Sequence, residues 1–154
     1  MTLEEIGAHI AIRQTIHSYN IAGDSRNAEL FCTQFADDAV FEFADAPPLP
    51  GFHHVGIEAI RKMAANWIQF PVTDPKLTPV SFIRHNITTC RVELTGSDTA
   101  KAKTYAFVVT DIGPDHAVNY TDDFVHRDGR WLFAHRRIVL DWRHPGSVFP
   151  PMPR

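Results

Sequence analysis

A single carboxylate, Asp24, stands directly after Gly23 at the end of an amphipathic run, in the stretch IAGDSRNAELFCTQFADDAVFEF (residues 21–43). Asp37 and Asp38, further along the same stretch, fall where a helix should give way to a strand. An isolated acid in the position of Asp24 has two uses. It can cap the helix that follows, worth about 1 kcal/mol, or it can orient a base. Histidine is the side chain whose ordinary pKa, about 6.5, suits proton abstraction near neutrality, and the chain carries 9 of them. A carboxylate bonded to the far ring nitrogen fixes the tautomer and stabilises the imidazolium. An arginine, always charged, holds a departing anion or a developing enolate. A metal centre is not expected: His53 and His54 are adjacent in a loop, and neither His126 nor His135 has a Cys or Glu at a usable ligand spacing.

These groups belong to a chain of 154 residues, for which one domain is the expectation. Its 15 basic and 18 acidic residues are spread along the chain, and no basic cluster of the kind that binds nucleic acid is present. Cys32 and Cys90 lie in apolar, periodic segments and read as buried free thiols rather than as a disulfide framework. No apolar run reaches the roughly 18 residues of a membrane span. The N-terminal MTLEEIGAHI is acidic and amphipathic, unlike a signal peptide. A cytoplasmic protein without nucleic-acid or membrane partners is expected.

The elements that must position these side chains follow from periodicity. Three- and four-residue steps predict a first helix from Leu3 to about Gly23, with Ile6, Ile10, Ile12, Ile16 and Tyr19 as its apolar stripe. Ser25 or Asn27 caps a second helix over Ala28–Phe35, and Ala39–Phe43 is a short β-branched and aromatic strand. Residues 44–56, with three prolines and two glycines, form a loop with at most one short strand. A third helix runs over Ile57–Gln69, with Ile57, Ile60, Met63, Ala64 and Trp67 on one side. From Val80 the period becomes two, giving strands at about 80–93, 99–111, 117–127 and 130–141, with Asp128-Gly129 as a two-residue hairpin turn. The fold class is therefore α+β, with helices laid on one face of a strongly bent antiparallel sheet. One domain spans 1–154, and its Pro-rich tail, 143–154, forms no element of its own.

Centring the hairpin on Asp128-Gly129 makes facing positions add to 257, so that Asp122 faces His135, Phe124 faces Phe133 and Tyr120 faces Arg137. Thr121, Asp123, Leu132, Arg136 and Ile138 share the other face, where Arg136 either pairs with Asp123 or is left for chemistry, and Asp122 forms a surface or interface pair with His135 or Arg137. In strand 99–111, Ala100, Ala102, Thr104, Ala106, Val108 and Thr110 form a face of small residues, which leaves room beside a helix and marks a pocket wall. An opposite face with Tyr105, Phe107, Phe124, Trp131 and Phe133 is too apolar for water, so a second subunit is expected to cover it, in a homodimer or homotrimer.

The segments SRNAELF-CTQFADDAVFEF, GIEAIRKMAANW, RHNITTCRVELTGSDTAKAKTYAFVVT and NYTDDFVHRDGRWLFAHRRIVLDW occur in an order and spacing that resembles the SnoaL-like branch of the nuclear transport factor 2-like superfamily. The likeness covers about residues 4–142. It implies a cone, in which a curved antiparallel sheet and three helices close around a deep apolar pocket. In dehydratase and dehydrochlorinase members a carboxylate stands 13 residues before the first Asp of the FADDA-type motif, a position held here by Asp24. The resemblance also places a catalytic His at His85 and an Arg, five residues after Trp131, at Arg136. Tyr19, Phe41, Phe43, Trp67, Thr110 and Thr121 are the expected substrate-binding residues. Departures are informative as well. The dehydratase's second His falls near Thr110 and its substrate-orienting Tyr at Phe43, while steroid isomerase's base and Tyr fall at Phe43 and Ile16.

The resemblance thus implies a cofactor-independent lyase that eliminates water or halide from a small, hydrophobic, cyclic substrate by way of Asp24, His85 and Arg136. An isomerase or polyketide cyclase using the same pair is the alternative within enzymes. A non-catalytic ligand-binding or assembly subunit is the alternative outside them, since one fold hosts many functions.

Overall fold

The computed structural model describes residues 1–47, 49–67, 71, 75–76 and 79–147. Three helices, α1 (Leu3–Asp24), α2 (Ala28–Cys32) and α3 (Ile57–Ala65), accompany six strands: β1 (Phe35–Phe43), β2 (Phe52–Val55), β3 (Ile83–Leu94), β4 (Thr99–Thr110), β5 (Gly113–Arg127) and β6 (Arg130–Arg143). The strands form one sheet in the order β2-β1-β6-β5-β4-β3. Neighbours are antiparallel except β1 and β6, which pair in parallel. No hairpin joins those two strands, so nothing imposes an antiparallel approach. The fold is the expected α+β arrangement of a curved sheet with its helices in the N-terminal half of the chain.

Helix α1 begins with a capping box: Thr2 Oγ1 accepts from the Glu5 N–H at 3.1 Å, and Glu5 Oε2 accepts from the Thr2 N–H at 2.7 Å. Its buried side includes Ile12, Ile16 and Tyr19, whereas Ile6 and Ile10, expected in the same stripe, are 39% and 64% exposed. The reason is angular, because Ile10 and Ile12 stand two residues apart and so about 200° round the helix. Helix α2 stops at Cys32, short of the expected Phe35, because the chain is already captured by the sheet: the Phe133 N–H donates to Gln34 O at 2.9 Å. Helix α3 ends at Ala65, and the expected continuation through 68–69 lies outside the described residues. The tail from 148 onward lies outside them too. Cys32 is buried, but Cys90 is only half-buried, and both are free.

The β5–β6 hairpin departs most from expectation. Asp128 and Gly129 both adopt positive φ, as a two-residue turn of this type requires. Phe124 faces Phe133 as predicted, but a bulge between Asp123 and Phe124 shifts the register by one, so that Asp122 faces Arg136 and Tyr120 faces Ile138. A one-residue slip sends every side chain to the opposite face. The extra residue lies in β6, so Arg136 beyond it turns into the core, where Asp122 already points in alternation with Phe124; their relative exposures are 0% and 1%, while Thr121 lies on the exposed outer face. Phe124, Trp131 and Phe133 are core residues, packed with Ile12, Ile16, Tyr19 and Phe35, and do not share the outer face with Tyr105 and Phe107. The small residues of β4 are taken up by this packing: Ala100 lies opposite Phe124, and Ala106 packs with Val118 and Tyr120.

Candidate active site

The end of α1 is the hinge of the site. Its last turns carry Tyr19, Asn20 and Asp24, and the chain then reverses through Ser25 and Arg26 into α2. The cap of α2 is Asn27, whose Oδ1 accepts from the Leu30 N–H at 2.9 Å. Asp24 is thereby left for another partner, and that partner is the start of β3. Its Oδ1 lies 2.5 Å from His85 Nδ1, and its Oδ2 accepts from the His85 backbone N–H at 3.1 Å. One carboxylate thus fixes both the ring and the backbone of His85. Donation from Nδ1–H to Asp24 leaves Nε2 as the basic nitrogen. Asp24 is 9% exposed, and the His85 side chain is 20% exposed on the pocket wall.

The pocket has a volume of about 340 Å³. Phe41 and Phe43 of β1, Phe52 of β2, Trp67 after α3 and Tyr19 of α1 form much of its apolar lining. The rings are mutually braced: Phe31 meets Trp67 edge-on at 4.7 Å between centroids, and Phe41 lies 5.0 Å from Phe52. No residue of β4 lines it, so the small-residue face of that strand is not the pocket wall.

A second histidine reaches the same space. His116 of β5 lines the pocket, and its ring centroid lies 6.3 Å from that of His85, at 80°. Its Nδ1 is 2.6 Å from Oδ1 of the fully buried Asp115. Asp115 also accepts from Thr110 Oγ1 at 2.9 Å and from Ser147 Oγ at 2.5 Å. Burial holds His116 below its ordinary pKa, with the Asp115 carboxylate opposing the shift, so this imidazole stays neutral near pH 7. Thr110, expected to touch substrate, is instead buried behind His116. Thr121 accepts from Lys103 Nζ at 3.0 Å on the outer face and lies away from the pocket.

Arg136 is also displaced from its expected place. Its Nε and Nη2 both donate to Asp122 at 2.8 Å, and its guanidinium lies 3.9 Å from the Phe133 ring centroid, 4.1 Å from that of Tyr19 and 4.3 Å from that of Tyr120. It does not line the pocket. Burial works against its charge, but the Asp122 carboxylate more than offsets this and holds the guanidinium protonated. Arg136 thus stands behind two tyrosines that do line the pocket. Burial pushes Tyr19 up to about 12 and raises Tyr120 as well, so both remain hydroxyl donors. The Tyr120 hydroxyl donates to Asn20 Oδ1 at 3.3 Å.

Of the expected site residues, the structure brings Asp24, His85, Tyr19, Phe41, Phe43 and Trp67 together, and it sets Arg136, Thr110 and Thr121 apart from the lining. Sequence reasoning missed Asn20, Arg26, His116 and Asp115. For Arg26 the available signal was its position two residues past Asp24. For His116 it was an Asp-His pair, Asp115-His116, directly after Gly113-Pro114. Among the described residues, no group of three or more His, Cys, Asp or Glu side chains could hold a metal ion.

The profile of the SnoaL-like domain matches residues 4–137. Among solved structures, the chain is similar to a candidate scytalone dehydratase from Novosphingobium aromaticivorans, at 19% identity and a TM-score of 0.72, over 99% of this chain and 97% of that one. It is likewise similar to the hexachlorocyclohexane dehydrochlorinase of Novosphingobium barchaimii, at 19% identity and a TM-score of 0.70, over 97% and 93%. A cystatin-like-fold protein of unknown function from Nostoc punctiforme shares 17% identity at a TM-score of 0.68, over 90% and 92%. These likenesses establish the fold. No curated protein matches the chain.

Proposed function

This chain belongs to the SnoaL-like domain family, and we propose that it is a lyase that eliminates water from a small, hydrophobic, cyclic substrate by acid–base chemistry at His85. The observation that carries the reading is the Asp24–His85 pair, 2.5 Å apart, on the wall of an apolar pocket of about 340 Å³. That volume suits a molecule of one or two rings. In the proposed step, Nε2 of His85 takes a proton from substrate carbon. The C–H electron pair becomes the new C=C bond, and the C–O bond breaks. The same imidazolium then protonates the departing hydroxyl, which leaves as water. Asp24 stabilises the imidazolium in between. Neutral His116 presents a second acceptor with which to hold the departing hydroxyl. The step moves one proton and electron pairs only, so the reading includes no cofactor.

Two features favour water over halide as the leaving group. Arg136, the expected holder of a departing anion, is already committed to Asp122. A second imidazole beside the first suits a hydroxyl better than a halide. The same pair of imidazoles also supports a second reading, an isomerase in which His85 returns the proton to another carbon of the substrate.

The test is a screen of small cyclic alcohols, halides and enones against the wild type, His85→Ala and Asp24→Asn. Positioned acid–base catalysis contributes about 10²–10⁴-fold, so losses of that order are expected in both variants, with ligand affinity little changed. Equal turnover in wild type and His85→Ala would remove the mechanism. Binding without turnover, insensitive to both substitutions, would favour a non-catalytic pocket.

A further inference from the structure

The connection between β1 and β2, ADAPPLPG at 44–51, contains one large apolar side chain, Leu49. Connections of this kind ordinarily run over the surface. Leu49 is instead only 9% exposed, and it lines the pocket, as do Pro50, Phe43, Phe52 and Trp67. The connection is fastened at several points. The Ala44 N–H donates to Ile138 O at 2.9 Å, which ties its start to β6. The Ala46 N–H donates to Leu49 O at 3.0 Å, and the Leu49 N–H donates to Ala46 O at 2.8 Å, so both backbone groups of Leu49 are held. Asp45 Oδ1 accepts from the Gly51 N–H at 2.7 Å. At Gly51 the backbone passes so close that an added Cβ would collide with Phe43 O and lie 2.9 Å from Asp45 N, an approach open only to a residue without a side chain. The three prolines of the segment restrict φ further. A branched side chain on a backbone tied in this way has little room to retreat, so a ligand that overlaps it must force strain on the site.

We propose that Leu49 sets the upper size of the ligand: it walls off the β1–β2 end of the pocket, admitting a ring system of two fused rings and rejecting one of four. The inference rests on the pocket of the function proposed above and names the residue that limits the substrate class of that site. Asp45 and Gly51 act through Leu49, as positioning residues.

The experiment uses two neutral probes that carry the same hydroxyl and differ in size, 2-naphthol and 1-hydroxypyrene. Binding of each is measured by fluorescence titration at neutral pH to the wild type, Leu49→Ala, Leu49→Phe, Gly51→Ala and His85→Ala, with the thermal midpoint of every variant as the check of folding. The wild type is expected to prefer 2-naphthol by at least about tenfold, the scale at which a hydrophobic pocket discriminates by size. Leu49→Ala should abolish that preference. Leu49→Phe should weaken 2-naphthol itself by about tenfold, which keeps the proposal testable if the alanine variant fails to fold. Gly51→Ala should move the preference in the same direction as Leu49→Ala, while His85→Ala should leave it unchanged. Equal binding of the two probes by the wild type, or a preference that survives in folded Leu49→Ala, overturns the wall. If the preference depends on Leu49 but the wild type turns over no screened compound, the wall stands and the catalytic reading falls. If His85-dependent turnover is found and the Leu49 variants keep the wild-type preference, the catalytic reading stands and the wall falls.

Discussion

At the scale of single residues, the site is organised by carboxylates that each hold one nitrogenous partner. Asp24 holds His85, Asp115 holds His116, and Asp122 holds Arg136. The first pair works as a unit, so the double variant Asp24→Asn/His85→Ala is expected to lose little more turnover than His85→Ala alone, far from the product of the single losses. The second pair makes stability depend on pH. Because the folded chain holds the His116 pKa down, the unfolded chain binds the proton more readily. The full contribution is present above the unfolded value, about 6.5, and is lost as pH falls below it. The thermal midpoint should therefore decline between pH 7 and pH 5, and His116→Gln should flatten that slope. Asp38 and Asp111 have depressed pKa values, led by bonds from Arg127 and Ser81 respectively, and the stability they confer is lost at more acid pH, outside this window. The third pair is purely internal. Arg136→Met leaves the buried Asp122 carboxylate without its partner and should cost about 3–5 kcal/mol. The double variant Arg136→Met/Asp122→Leu should recover most of that in urea unfolding.

At the scale of elements, the β5–β6 hairpin decides which side chains face inward. The turn itself was legible, since Asp128-Gly129 demands positive φ at both positions. Gly129 has a φ of 73°, and an added Cβ would meet nothing within 4 Å. Gly129→Ala therefore costs only the conformational penalty, about 1 kcal/mol, measurable by chemical denaturation. The bulge beyond the turn was not legible. One extra residue opposite Asp123–Phe124 is all that separates a core Arg136 from a surface one. At the other side of the site, Asn27 starts α2 and so sets the reversal that presents Arg26. Asn27→Ala should lower stability by about 1 kcal/mol, read by urea unfolding against an exposed control substitution.

At the scale of the whole molecule, α1 lies across the sheet, and the pocket opens beside its C-terminal end, lined from β1, β2, β3, β5 and β6. Among the described residues, no helix is long and apolar enough to cross a membrane. The outer face of the sheet carries fewer exposed rings than the sequence suggested: Tyr105 at 48% and Trp142 at 44% exposure, with Phe107 stacked on Trp142 at 6.5 Å. We propose that a second copy of the chain covers this strip, as the apolar face led the sequence analysis to expect. Sedimentation equilibrium should then give a dimer or trimer that Tyr105→Lys/Trp142→Lys dissociates. A wild-type monomer at micromolar concentration would end that proposal.

Local patterning was enough to place nearly all the elements, because helix and strand periods, caps and turn residues act over a few positions. The match of Asp24 to His85, 61 residues apart, was reachable only through the spacing shared with a family, and the structure joins the two in a direct contact. Burial of Arg136, the withdrawal of Thr110 and Thr121 from the pocket, and the arrival of His116 and Arg26 were not written in any local pattern. They depend on a bulge, on a strained reversal and on the register that sets His85 of β3 and His116 of β5 on either side of Val108. Each is settled by the packing of the whole sheet against the helices, where a shift of one residue exchanges the inside for the outside.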